Sequence, residues 1–485
     1  MPIPAESGDD PITRTHAMLR AAATTWAWDA FAYAADAEYP LATLARFLIV
    51  HSGLASSLDL DLASLDRFLL AIDIAYAAPS VNPAVEIGVP RVLLPRGSGG
   101  TGGELKDATG FVGYHNVVHA CDVTQSVYAL LYLGGVCVAL NDRQKLALLL
   151  AAVVHDVGHP GLDNEFLIAT KSALAMRYHE DAPLERFHAS ATFACLRQPG
   201  HDFAPRWNAE EKRTLEETLR ELVMATDMRA HFAHVDALRD ATVRTMRPPP
   251  TPEPEVEESS EEESSDEEEE EEEGVGGDED GEKPKGKSMM AMLGIEEEEP
   301  PPPELLCDPP GDLVRALRPL DAEDGGSRGV AFDARGGVDA REDPEGAATM
   351  RRALMVAALK AADLGHLTRP TETHRDWVEA LQEEWCVQAD RERAEPGIRR
   401  SNPGPAPGRD RDAMGEGTVA FGVEVGLPLF DALARAVPLA AHLAENARAN
   451  LATWGWVEPE PEPEPEAEPE PEPGGGSRLG NPHHH

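Results

Sequence analysis

Two histidines four residues apart, His115 and His119 in HNVVH, would share one face of a helix and could point into one site. A second group lies in VVHDVGHPG, where His155 and Asp156 end a strongly apolar run and His159 follows four residues later. Third, Asp363 sits near the end of another apolar run, ALMVAALKAADLGH. Each has an ordinary explanation alone, since HxxxH pairs are usually surface structure and a helix-end aspartate is usually a cap or ion-pair partner. Three apolar helices that each deliver His or Asp to an end are harder to explain that way. A buried His-Asp pair is costly unless its charges and lone pairs are used. Metal binding uses them. Imidazole nitrogens suit zinc-like ions, and carboxylates and waters suit magnesium or manganese. His119, His155, Asp156 and Asp363 are the expected ligands of a first ion, with Asp156 bridging to a second that is held mostly by waters. Two such ions about 3.5–4 Å apart hold a bridging hydroxide and stabilise charge developing on phosphorus.

The elements that must position these groups read as helices. Apolar residues recur at spacings of three and four in PLATLARFLIVHSGL, LASLDRFLLAIDIAYAA, NVVHACDVTQSVYALLYLGG and RQKLALLLAAVVHD, and again from MRRALMVAALKAADLGH to the region ending near Trp456. Strand alternation between tight-turn dipeptides is absent, so the expectation is an all-α protein. The segment VPRVLLPRGSGGTGGELKD is punctuated by Pro and Gly and reads as a loop.

The chain has 485 residues and a formal charge of −44, spread very unevenly. Residues 251–300 hold 23 acidic groups against three lysines, and eight more glutamates lie between Glu458 and Glu472. Such segments cannot bury apolar surface, and their charges repel. The expected organisation is a disordered start at 1–12, a catalytic domain in two parts at 13–246 and 345–456, a disordered acidic insert at 247–344, and a disordered Pro-Glu tail at 457–485. An acidic body lacks the basic footprint of a nucleic-acid binder. The acidic segments offer a place for basic protein partners. Five scattered cysteines without a CxxC pair suit a reducing compartment. The N-terminus lacks a signal-peptide pattern, and the longest uninterrupted apolar stretch, Leu146–Val154, is far too short for a bilayer span. The expectation is a soluble cytoplasmic protein without a membrane span.

The ordered set YHNVVHACDV, HDVGHPGLDNEFL, LERFH, ATDM, AADLGHLTRP and EEWCVQADRE resembles class I cyclic nucleotide phosphodiesterases over about 13–246 and 345–456. The resemblance implies the multi-helix catalytic domain of the HD superfamily, hydrolysing the 3′,5′-cyclic phosphate of cAMP and/or cGMP to the 5′-monophosphate. It implies two divalent ions, zinc at the tighter site and magnesium or manganese at the second. His119, His155, Asp156 and Asp363 take the ligand positions. His115 resembles the general acid that protonates the leaving O3′, and Glu384 the carboxylate that holds it. Glu185 and Thr226 resemble groups that orient metal-bound water. Tyr114 and His159 line the phosphate side, and Leu381 and Phe421 resemble the apolar jaws around the purine.

The chain departs from the family in the purine pocket. Thr418, in GTVAFG, stands where the family places a glutamine three residues before the clamp phenylalanine. A threonine hydroxyl is shorter and makes fewer contacts than an amide. His366 stands where some cyclic-AMP-selective members have asparagine, and resembles the calmodulin-stimulated, dual-specificity branch. A third departure is QAD at Gln388–Asp390 for the usual QGD. Selectivity between cAMP and cGMP is therefore left open, as is oligomeric state. Two other functions compete with the phosphodiesterase: a different HD-type metal phosphohydrolase, and a catalytically weakened nucleotide-binding or scaffold protein.

Overall fold

A computed structural model describes residues 11–77, 112–246, 343–394 and 411–458. Within them every regular element is helical and no strand occurs, as the periodicity implies. The Pro/Gly-rich stretch at 89–107, residues 247–342 of the acidic insert and the Pro-Glu tail beyond residue 458 lie outside the described residues. The first helix begins at Pro11, two residues before the expected start of the domain.

Asn116 decides where the first site-bearing helix starts. Its side-chain oxygen accepts the backbone N–H groups of Val118 (2.9 Å) and His119 (3.4 Å), so the helix runs Val117–Tyr132. His115 therefore stands in the turn before the cap, while His119 is inside the first turn. This corrects the expectation of two imidazoles on one helix face: an asparagine cap overrides the i, i+4 spacing.

The second helix, Asp142–Val154, opens with a reciprocal capping box between Asn141 and Gln144. Leu146 to Val154 are all buried, and His155 closes the helix. The third, Pro344–Asp363, has proline at its first turn, and the Asp343 side chain accepts Gly346 N–H at 2.8 Å. Arg244, near the end of helix His231–Met246, donates to that same Asp343 (Nη2–Oδ2 2.7 Å). The two sides of the acidic insert are thus held together.

These three helices form the centre of the domain. Pro40–His51 and Leu62–Ala77 pack on one side, Ala209–Met224 and His231–Met246 on the other. One contiguous apolar core joins them, and a smaller cluster of Leu162, Phe166, Leu167, Ala175 and Leu184 lies beside the site. Each fully buried Leu, Val, Ile or Phe contributes about 1.5–3 kcal/mol.

The 23-residue stretch Met414–Ala436 is helical throughout, with a π segment at Gly422–Gly426. Among the described residues it is long and apolar enough to cross a membrane, although Glu416, Glu424 and Pro428 interrupt its sequence. Here Leu427, Leu429, Phe430 and Leu433 are buried in the domain core. A side chain at Gly422 would collide with Leu451, and one at Gly426 with Leu367. The glycines let this helix, which carries Thr418 and Phe421, sit against its neighbours at close range.

Candidate metal centre

Three helix ends bring four ligand-type residues together. Single ligand atoms of His119, His155, Asp156 and Asp363 all lie within 4.8 Å of one another. His119 Nε2 is 3.1 Å from Asp363 Oδ1 and 3.2 Å from His155 Nε2. His155 Nε2 is 3.2 Å from Asp156 Oδ2. The Nδ1–H of His155 donates to Ala152 O at 2.9 Å, which turns its Nε2 toward the cluster. Two of the helices end here, so the negative ends of their dipoles favour a cation.

Burial alone would favour neutral acids. The histidines beside them nevertheless hold Asp156 and Asp363 well below the usual carboxylate range. Burial likewise opposes a charge on His155, but the same carboxylates outweigh it and raise its pKa well above the ordinary value. Asp156 Oδ2 is buried and accepts no hydrogen bond. Two imidazoles and two carboxylates converging around an unpartnered acceptor fit a divalent cation.

His115 lies alongside. Its Nδ1 is 2.5 Å from Glu384 Oε1, and Glu384 Oε2 accepts the backbone N–H of Tyr114 (2.8 Å) and of His115 (3.1 Å). Burial opposes the imidazolium, yet Glu384 outweighs it and pushes the pKa of His115 up to about 9. Burial also opposes the charge on Glu384, which His115 draws down to about 2. His159 stacks on His115 with ring centroids 4.2 Å apart. Burial, reinforced by the His115 charge, lowers His159 to about 3. Its Nδ1 accepts Gly161 N–H at 3.0 Å, so the neutral ring carries its proton on Nε2. Neighbouring titratable groups whose pKa values are pushed apart mark acid and base roles.

These groups open into a pocket also lined by Glu185, His188, Asn164, Thr226, Asp227, Met228, Arg229, Trp385 and Gln388. Asn164 Nδ2 donates to both Glu185 oxygens (3.2 and 3.0 Å), and burial raises Glu185 to about 6. The hydroxyl of Thr226 donates to Val223 O at 2.8 Å, while the residue itself borders the pocket.

Tyr114, expected on the phosphate side, and the purine-side residues lie apart from that pocket. Tyr114 is buried with its ring 4.5 Å from His119 and 6.0 Å from His366. His366 is buried and stacked on His374 (5.4 Å, 10°). Leu381 and Phe421 are half-buried against the core, and Thr418 donates to Met414 O within its own helix at 2.7 Å. None of these five lines the pocket beside the cluster.

Three residues near the site went unassigned from sequence. His188 donates from Nδ1 to Val157 O (2.9 Å), leaving Nε2 3.7 Å from Asp156 Oδ1. Asn164 clamps Glu185. The Tyr76 hydroxyl accepts Asp156 N–H at 3.2 Å. The spacing of Glu185 and His188 in LERFH was a usable signal for the first, because i, i+3 residues share a helix face. Asn164 stood in the quoted motif HDVGHPGLDNEFL; Tyr76 carries no sequence signal.

Comparison with known proteins bears on what this arrangement is. The family profile described as 3′5′-cyclic nucleotide phosphodiesterase matches residues 114–291 and 328–447, more than half of the chain. The break between the two matched stretches falls inside the acidic insert. A probable 3′,5′-cyclic phosphodiesterase of Caenorhabditis elegans is 36% identical over 126 residues, covering 26% of this chain and 19% of that protein. The 3′,5′-cyclic-AMP phosphodiesterase 4C of Rattus norvegicus is 37% identical over 122 residues, covering 25% and 23%. The matched stretch spans about a fifth of the length of these curated relatives. The phosphodiesterase domain of the Salpingoeca rosetta rhodopsin phosphodiesterase shares the fold, with a TM-score of 0.55 at 18% identity over 93% of this chain and 96% of that one. A second structure, from the choanoflagellate's fusion protein, has a TM-score of 0.54 at 18% identity over 91% of this chain and 97% of that one. The chain belongs to the 3′,5′-cyclic nucleotide phosphodiesterase family.

Proposed function

We propose that this protein is a metal-dependent hydrolase that opens the 3′,5′-cyclic phosphate of cAMP and/or cGMP to the 5′-monophosphate. The observation that carries the reading is the pairing of His115 with Glu384 beside the four-residue cluster. His119, His155, Asp156 and Asp363 would hold divalent ions, zinc at the tighter site and magnesium or manganese at the second. When bound, such ions supply Lewis-acid stabilisation of the phosphoryl group and an activated water.

The chain's own residues do the rest. Glu384 accepts Nδ1–H of the His115 imidazolium, which leaves Nε2–H to protonate the departing O3′. His159, neutral, presents its own Nε2–H on the phosphate side. Asn164 fixes the Glu185 carboxylate, which orients the attacking water. Thr226 adds a hydroxyl lone pair at the same wall. Tyr114 packs behind His115 and His119 and limits their rotation. His366, Thr418, Leu381 and Phe421 would take the purine. The soluble, cytoplasmic location and basic partners for the acidic segments belong to this reading as well.

The test combines metal analysis of the purified protein with hydrolysis assays on cAMP and cGMP. Bound metal with turnover of either cyclic nucleotide is the expected result. Turnover of linear phosphodiesters alone would favour a different phosphohydrolase. Nucleotide binding without hydrolysis would favour a binding or scaffold protein.

A further inference from the structure

A charged side chain that the chemistry above leaves unused lies directly beneath the site. Lys360 is 1% exposed and sits one helical turn before Asp363 on helix Pro344–Asp363. Its Nζ donates to Ala225 O at 3.0 Å and to Thr226 O at 3.4 Å. Among the described residues no carboxylate forms a direct ion pair with it. Asp363 on its own helix and Asp227 and Glu185 across from it supply more distant negative charge. The imidazoles of His231 and His234 face it from the next helix.

The two carbonyls it holds close helix Ala209–Met224, where backbone acceptors have no donor within the helix. The negative end of that helix favours an ammonium there. Immediately beyond come Thr226, Asp227, Met228 and Arg229, all of which line the pocket. The far side of this turn is fixed by Asp227, which accepts Arg229 N–H at 2.9 Å and pairs with the Arg229 guanidinium at 2.7 Å. The near side is fixed by Lys360.

We propose that Lys360 is a positioning residue of this site: its ammonium pins the Ala225–Arg229 turn and so sets where Thr226 and Asp227 enter the pocket. The inference rests on the hydrolytic reading given above. Lys360 touches neither substrate nor metal and works through backbone carbonyls. Methionine, one atom shorter, would fill most of the same space without burying a charge. A purely structural role predicts a lower unfolding temperature for methionine with kcat unchanged, because the two carbonyls lose this donor.

The experiment compares wild-type protein with Lys360→Met by hydrogen exchange, thermal unfolding and steady-state kinetics. Exchange is read in the metal-free protein over Ala225–Arg229. Expected for Lys360→Met are faster exchange in that turn, a modest fall in unfolding temperature, KM little changed and kcat roughly 10–100-fold lower, the scale of losing an outer partner of a metal site. Lys360→Gln, which keeps a neutral donor, should recover part of the protection and part of kcat. It also serves as the test variant if the methionine protein does not fold. Wild-type exchange and wild-type kcat in either folded variant overturn the inference. Absence of hydrolysis in wild-type protein would instead remove the functional reading, and the exchange measurement would still decide the positioning.

Discussion

His115 and Glu384 are separated by 269 positions in the chain and by 2.5 Å between Nδ1 and Oε1. One carboxylate thus fixes both the ring and, through its second oxygen, the backbone of the turn that carries the ring. Position and proton content of the imidazole are controlled together.

That coupling gives a pH prediction. His115 keeps its proton up to about pH 9, so kcat should hold on the alkaline side and fall as pH rises through that region. In Glu384→Gln the anion is gone, and the alkaline limb should move toward the ordinary histidine value of about 6.5. The same raised pKa stabilises the fold fully below about pH 6.5, and that contribution disappears as pH rises through about 9. Profiles of kcat for both proteins test this, and an unmoved limb in Glu384→Gln assigns the titration to another group.

His115→Ala should keep its metal and lose roughly 10²–10⁴-fold in kcat with the natural leaving group. A substrate with a much better leaving group should regain part of that loss. Equal losses on both substrates would mean that His115 serves structure alone.

Removing a member of the four-residue cluster should act differently. Asp363→Ala and His155→Ala are expected to lose bound metal and hydrolysis together, measured by elemental analysis alongside turnover. Undiminished turnover in metal-depleted Asp363→Ala protein would rule out the proposed metal chemistry.

Thr418 concerns the purine. Each hydrogen bond that a glutamine amide would add there is worth about 0.5–1.5 kcal/mol, less where water substitutes. Thr418→Gln should therefore lower KM, with kcat nearly constant, on at least one of cAMP and cGMP. Thr418 already donates to Met414 O, and its helix lies close to Leu451 at Gly422. A KM unchanged for both nucleotides would show that this position does not read the base.

Deleting residues 250–340 should leave thermal stability and kcat close to wild type, because so acidic a segment contributes little apolar burial. Differential scanning calorimetry of the deleted and full chains decides this. A fall of several degrees would show that part of the segment packs on the domain.

Much of the architecture was readable because helical periodicity and capping agree along the chain. Leu146–Val154 is apolar at every position and is a buried helix, and Asp363 ends the next such run as its sequence suggests. The ligand-type residues were legible because three apolar helices each bring His or Asp to an end, which is harder to explain than any one of them alone. What escaped depends on long-range geometry. Tyr76 meets Asp156 across 80 positions, and Lys360 meets Ala225 across 135, with nothing in either local sequence to name the partner. His115 was read as helical because the i, i+4 spacing outranked Asn116, whose capping bonds in fact set the boundary. The purine side was least legible, since half-buried Leu381 and Phe421 look the same as core or as clamp.

The Arg244–Asp343 pair has a consequence for how this chain can vary. Because the fold leaves and re-enters at one ion pair, the intervening residues form a closed excursion. For a flexible loop the closure entropy grows only with the logarithm of length, so each doubling costs about 0.6 kcal/mol. On closure entropy alone, lengthening or shortening the stretch between Met246 and Asp343 is expected to cost the domain little. The Arg244–Asp343 pair holds the two described ends together, whatever length of chain joins them.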